Sequence, residues 1–244
     1  MDVQEEIALL RRRISRSIMR GIRQFSLIEE GDHVLIGLSG GKDSLALLEF
    51  LGAAQKRAGG RFRLTALHVR MDNIDYQSDT SYLLHQASDA GVPLRIASAH
   101  FDPDTKERRT PCFLCSWTRR KTFFNVAQEL DCNKIALGHH QDDILKTALM
   151  NLTFTGSFST MPARLRLRKM PLTIVRPLCL VEETDLQRWA QLRQYEPLKK
   201  VCPFDHASNR TAIAEPFAAL ETLNPDFRHS LWHALLKSGA LVEE

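Results

Sequence analysis

His33-Val34-Leu35-Ile36-Gly37-Leu38-Ser39-Gly40-Gly41-Lys42-Asp43-Ser44 joins an apolar run, a glycine turn and a helix start within twelve residues. The run is short and unbroken, as in a strand buried on both faces of a parallel sheet. The glycines let backbone N–H groups approach an anion closely, and the helix that follows adds partial positive charge at its amino end. Lys42 can neutralise phosphate charge, and Ser39 and Ser44 offer hydroxyls. The common P-loop requires G-x-x-x-x-G-K-[ST]. Here three residues separate Gly37 from Gly41, and Asp43 stands where Ser or Thr should follow the lysine. A carboxylate at that position points to Mg²⁺ beside the phosphates.

Working outward, strand-like and helix-like stretches alternate. Glu5–Gln24 reads as an amphipathic helix with Ile7, Leu10, Ile14 and Ile18 at helical spacing. Asp43–Gln55 reads as a helix with Leu45, Leu47, Leu48 and Leu51 inward. Strands fit Arg63–Arg70, Pro93–Ala99, Lys134–Leu137 and Thr173–Arg176. Helices fit Thr80–Ala90, Cys115–Leu130, Asp142–Leu152 and Thr184–Leu192. Gly156–Lys169 has no periodicity and reads as a loop, and the tail from Ala207 reads as helical, broken near Pro216 and Pro225. This alternation predicts an α/β fold, a doubly wound, Rossmann-like parallel sheet of about five strands with helices on both faces. Its ligand crevice lies at the carboxyl ends of the strands. Residues 1–30 are expected as an N-terminal helix, 31–200 as the nucleotide-binding domain and 201–244 as a helical extension.

Two further stretches belong near such a crevice. Asp72 follows the second strand. Gly138-His139-His140-Gln141-Asp142-Asp143 follows the fourth strand and begins a helix. From the residues alone, Asp142 and Asp143 read equally as functional carboxylates or as helix caps, the latter contributing roughly 1 kcal/mol.

With 43% hydrophobic and 25% charged residues, the 244-residue chain has the composition of a globular protein in water. No apolar run approaches the ~20 residues that cross a bilayer. Met1–Glu6 is acidic and the helix after it carries too many arginines for an apolar signal core, so a cytoplasmic location is expected. The net charge is only +4, but basic residues cluster at Arg11–Arg13, Arg61 with Arg63, Arg108–Arg109, Arg119–Lys121, Arg164–Lys169 and Lys199–Lys200. Such clusters are either solvated surface or, gathered on one face, a footprint for a phosphate backbone.

Of the five cysteines, Cys112 and Cys115 form a CxxC, a spacing shared by redox, zinc and iron–sulfur sites. It does not open a helix directly after a strand as in thioredoxin, and no second CxxC completes a zinc ribbon. Cys202 is a third candidate ligand. A Cys₃His zinc site with His206 competes with an incompletely ligated iron–sulfur cluster. Cys132 and Cys179 sit in apolar stretches and read as buried filler.

Ser-Gly-Gly-Lys-Asp-Ser after an apolar strand resembles the loop of the PP-loop (N-type ATP pyrophosphatase) superfamily. That resemblance implies cleavage of ATP between its α and β phosphates and adenylation of a carbonyl oxygen, with Lys42 and Mg²⁺ on the departing pyrophosphate. It places Ser39, Gly40, Gly41, Lys42, Asp43, Ser44, Asp72, Gly138 and Asp143 at the nucleotide, and Lys42, Asp43 and Asp142 in catalysis. Leu35–Leu48, Pro111–Arg120, Lys134–Leu145 and Val175-Arg176-Pro177-Leu178 together resemble the tRNA 2-thiocytidine synthetase (TtcA-like) family. The likeness spans residue 35 to about residue 205. It implies a [4Fe-4S] cluster on Cys112, Cys115 and Cys202 whose open iron carries the incoming sulfur, a tRNA cytidine as acceptor in the anticodon loop, and a sulfur donor such as a cysteine desulfurase. A homodimer stays open. Family members commonly have a longer chain and a second cysteine near the distal ligand, where this sequence has Pro203-Phe204-Asp205. Three rivals stand beside this reading: a PP-loop ligase that inserts an amine, a sulfurtransferase with another acceptor, and a non-catalytic RNA-binding or iron–sulfur sensing module.

Overall fold

The computed structural model describes residues 2–76, 80–102, 110–198, 200–201 and 212–244. In chain order the elements begin α1 (Val3–Phe25), β1 (His33–Gly37), α2 (Lys42–Arg57), β2 (Arg63–Met71), β3 (Asp75–Tyr76) and α3 (Ser81–Ala90). Next come β4 (Leu94–Ala99), α4 (Pro111–Glu129), β5 (Lys134–Ala136), α5 (Gln141–Thr155), β6 (Arg164–Arg166) and β7 (Thr173–Val175). The chain continues through α6 (Glu183–Leu192), β8 (Lys200–Val201), α7 (Ala214–Leu223), α8 (Phe227–Lys237) and β9 (Val242–Glu243).

The main sheet has the order β4-β2-β1-β5-β7-β6-β9. Its first five strands are mutually parallel, through Ile36↔Ala66, Ile36↔Ala136, Ala66↔Leu94 and Ala136↔Val175. That part is the doubly wound sheet expected from the alternation. β1 is buried at all five residues, which is why its sequence is continuous rather than alternating. From β1 the chain winds outward to β2 and β4, then returns to the other side of β1 for β5 and β7. The strand order therefore switches between β1 and β5, and a crevice opens at their carboxyl ends.

Helices cover both faces. One apolar cluster joins α1, α2, α3 and α6 to the sheet, and a second packs α4 on the opposite face through Val126, Ala127 and Leu35. In α1, Leu10, Ile14, Ile18, Ile22 and Phe25 recur every three or four residues and are all buried. Trp189 of α6 lies 5.2 Å from Phe50 of α2, ring centroid to centroid. Its indole N–H donates to Glu49 Oε2 and to the Tyr195 hydroxyl, at 3.3 and 3.2 Å. No described helix is long and apolar enough to cross a membrane.

The structure corrects three boundaries. Gly156–Lys169 contains β6, which pairs antiparallel with β7, and β9 extends the sheet beside it. Three residues of Arg-Leu-Arg are too short and too charged to register as a strand. Pro216 does not break a helix: it is the third residue of α7, in the first turn, where its missing N–H has no helical partner to lose. The helix predicted from Cys115 begins at Pro111, with Thr110 Oγ1 accepting from Phe113 N at 3.3 Å, so the CxxC forms its first turn. Trp189→Ala should cost about 3–5 kcal/mol by emptying the α2–α6 contact; urea unfolding followed by circular dichroism measures it.

Candidate active site

The glycine turn between β1 and α2 is held by its own hydroxyls. Ser44 Oγ donates to Gly41 O at 2.9 Å and accepts from Gly40 N at 3.2 Å, and Ser39 Oγ accepts from Gly41 N at 3.3 Å. Gly40 has φ +85°, and a Cβ there would lie 2.5 Å from Leu198 Cβ, so only glycine fits. Leu198 N donates to Gly40 O at 2.9 Å, fastening the segment after α6 to the turn. Gly41 caps α2 without a side-chain hydrogen bond, so the positive end of the helix faces the crevice. Across it, Gly138 lies two residues past the end of β5, and a Cβ there would meet Asp43 C and Ser44 N at 3.2 Å. That close approach sets the two strand ends side by side.

The result is a cleft of about 340 Å³. Ser39, Gly41, Asp43 and Ser44 line one wall, and Gly138, His139 and Asp143 line another, with Arg119 and Phe123 of α4 over them. The Lys42 ammonium sits 3.0 Å from Asp43 Oδ1 and 3.6 Å from Glu183 Oε1, at the edge of this arrangement. Two helix amino ends, two carboxylates and an arginine thus converge on one space, which suits a phosphate chain carrying a divalent cation.

Residues 11–200 match the family model described as a PP-loop domain, ATP_bind_3. The tRNA-cytidine(32) 2-sulfurtransferase of Bordetella avium is 41% identical over 190 residues, covering 76% of this chain and 60% of that protein. The protein of the same name from Delftia acidovorans is 34% identical over 240 residues, covering 96% and 76%. The chain belongs to the PP-loop family, on its tRNA-cytidine 2-sulfurtransferase branch. It spans about three fifths of the length of the curated relatives it matches first. The fold is also that of the U34-tRNA thiolase NcsA from Methanococcus maripaludis, solved with its [4Fe-4S] cluster, at a TM-score of 0.75 and 23% identity over 95% of this chain and 79% of that one.

Within this PP-loop site the predicted residues divide. Ser39, Gly41, Asp43, Ser44, Gly138 and Asp143 line the cleft, whereas Gly40 and Lys42, within the same loop, are not among its lining residues. Asp72 is exposed past the end of β2, its N–H bonded to Ala99 O, and it does not line the cleft. Asp143 has both functions weighed for it: it lines the cleft, and its Oδ2 accepts from His140 N at 3.1 Å as part of the α5 cap.

Asp142 points elsewhere. Its carboxylate is buried, accepts from Glu183 N at 2.8 Å and from Arg228 Nη1 at 2.7 Å, and so closes the amino end of α6 and anchors α8. Burial pushes the Asp142 carboxyl up, but the Arg228 hydrogen bond and the Glu183 N–H outweigh it and hold the carboxyl below the ordinary carboxylate range.

Cys112 is exposed and Cys115 half-buried in the first turn of α4. Cys112, Cys115 and Arg119 fall on one face of that helix, because steps of three and seven residues return to nearly the same side. Cys202 and His206 lie outside the described residues, as do Arg108, Arg109 and Lys199. Among the described residues no three His, Cys, Asp or Glu side chains are gathered to hold a metal ion. Cys132 and Cys179 are buried, and burial pushes their thiols up to about 11 and about 12, as inert filler requires. Of the basic clusters, Arg119 enters the cleft, Arg120 and Lys121 are exposed, and Arg164 pairs with Glu244.

Sequence reasoning did not single out Glu183 or Arg228, and it quoted Arg176 only within the Val175–Leu178 motif, with no role of its own. Arg228 lies 86 residues from Asp142, and nothing local announces that pairing. Arg176 had a signal, an arginine at the very end of an apolar strand. The depressed folded pKa of Asp142 gives a pH signature. Its contribution is complete above the unfolded value near 4 and disappears as pH falls through the lower folded value. Asp142→Asn should cost about 2 kcal/mol or more at neutral pH by leaving Arg228 underpaired, and its difference from wild type should shrink progressively as pH falls below ~4 in urea titrations.

Proposed function

We propose that the chain is an ATP-dependent tRNA thiolase that forms 2-thiocytidine by adenylating the base at O2 and exchanging that oxygen for sulfur. One observation carries the reading: the glycine loop, Asp43 and Asp143 share a cleft with Arg119, and Arg119 stands on the same face of α4 as Cys112 and Cys115. Seven residues of helix place the first cysteine about 10 Å along the axis from Arg119, so activation and sulfur delivery address one space. The names of the relatives agree with this chemistry.

The chain's own groups perform most of the work. Backbone N–H groups of the glycine turn and of the start of α2 receive the phosphates. Asp43 and Asp143, which both line the cleft, would repel an anion unless a Mg²⁺ ion lay between, and each offers it a carboxylate oxygen. The cytidine O2 attacks the α-phosphorus and the bond to the bridging oxygen of pyrophosphate breaks; Lys42 offsets the charge gathering on the leaving group. AMP then departs from C2 as sulfur bonds there, a carbonyl oxygen having become a phosphate ester. Cys112 and Cys115, which share a helix face, would with Cys202 offer three thiolates to a [4Fe-4S] cluster, and that cluster would supply the sulfur. A cysteine desulfurase is the source we assign to that sulfur, and the cytoplasm the compartment.

For the RNA, α4 carries no acidic residue before Glu129 while Arg120 and Lys121 are exposed, with Lys121 Nζ 5.4 Å from the Trp117 ring centroid. Such a surface holds a phosphate backbone with salt-dependent affinity.

Lys42→Ala should lower tRNA-dependent pyrophosphate release by about a hundredfold or more. Mass spectrometry of nucleosides from a deletion strain should show 2-thiocytidine missing, restored by wild type and not by that variant; an unchanged thionucleoside profile removes the cytidine assignment. Anaerobically purified protein should carry about four iron and four acid-labile sulfide per chain, lost in Cys112→Ser. A colourless, zinc-loaded or iron-free protein would favour the amine-inserting ligase instead.

A further inference from the structure

Arg176 is a buried cation with no carboxylate in direct contact among the described residues. It is 6% exposed, at the carboxyl end of β7. Its Nη1 donates to Pro162 O at 2.5 Å and its Nε to His139 Nδ1 at 3.3 Å. Among the described residues no carboxylate lies within ion-pair distance of it. Asp143 of the cleft acts on it only through space, beyond contact, and the neighbouring Cys179 thiol is no substitute, because burial holds it protonated with its pKa pushed up to about 12. Elsewhere the chain neutralises such groups: Lys134, 7% exposed, sits 2.8 Å from Asp32, and Arg228 sits 2.7 Å from Asp142. An isolated ion in the interior is costly unless a partner arrives. Burial accordingly pulls the Arg176 pKa down to about 10, which still leaves the group charged at neutral pH.

The one side chain it bonds leads to the cleft. His139 lines the cleft between Gly138 and the start of α5. A ring that accepts a hydrogen bond at Nδ1 carries its proton on Nε2, so the guanidinium selects one tautomer and turns His139 into an N–H donor. The donor stands on the wall facing Ser39, Gly41 and Ser44.

We infer that Arg176, acting through His139, is a positioning residue for a phosphate group in the cleft: the ligand's oxyanion supplies opposing charge to a buried guanidinium that has no carboxylate in contact, and His139 is the donor that touches it. This rests on the reading of the cleft as an ATP site, and it assigns to the β5–β7 wall a share of phosphate binding alongside the glycine loop.

The test uses the full chain with Mg²⁺ and either ATP or inorganic pyrophosphate, titrated calorimetrically, together with thermal unfolding of the ligand-free protein. Arg176→Met should weaken ATP binding by about tenfold or more. The unfolding midpoint should hold or rise, because an unneutralised buried charge has been removed. His139→Phe should weaken binding comparably, and the double variant should be no weaker than Arg176→Met alone, since both act through one contact. Matching losses with pyrophosphate place the contact on the β–γ portion, and losses with ATP only place it on the α-phosphate; either supports the assignment. Unchanged affinity in Arg176→Met, additive losses in the double variant, or a loss of affinity that merely follows a lowered midpoint would overturn it. If Arg176→Met does not fold, His139→Phe decides, and wild-type affinity there overturns the assignment. A wild-type chain that binds neither ligand would remove the ATP reading itself.

Discussion

Helix α2 begins without a side-chain cap, and that open amino end is what the surrounding structure serves. Unsatisfied backbone N–H groups at a helix start are ordinarily closed by Ser, Thr, Asp or Asn. Here the hydroxyls of Ser39 and Ser44 are turned onto the glycine turn itself, bracing it while leaving the helix end to face the crevice. The parallel sheet places this end at the point where strand order reverses. Gly138 then lets the neighbouring strand end come close enough to add a second helix start and a second carboxylate.

Much of this was legible because each piece is local. β1 is apolar throughout since both faces are covered, and the periodic leucines of α2 and isoleucines of α1 face the core as their spacing predicts. The edge was not legible. β6 and β9 are two or three residues long, carry charge and draw their stability from pairing with a finished sheet rather than from their own pattern. The same holds for Pro216, whose tolerance depends on its being in the first turn of a helix and not on the residue type.

At the site, legibility followed sequence distance. The loop from Ser39 to Ser44 and the stretch from Gly138 to Asp143 are contiguous motifs, and the structure brings them to one cleft. Two adjacent aspartates nevertheless took different directions, because successive residues at a helix start project about 100° apart. Asp143 turned to the cleft, and Asp142 turned to Arg228 and the start of α6. No reading of the dipeptide could separate them, since the deciding cation arrives from α8. Arg176 was in view within a quoted motif, but its role was not: what marks it is that no carboxylate among the described residues is in contact with it, a property of the packed interior.

The bond from Leu198 N to Gly40 O has a mechanical consequence. It hooks the phosphate loop to the stretch that runs into β8, and β8 is the last described residue pair before Cys202 in the chain. Leu198 also fills the space that a side chain at position 40 would need, so the hook and the glycine are a matched pair. Lengthening the tether between α6 and Leu198 would let go of the loop without altering a single charged group.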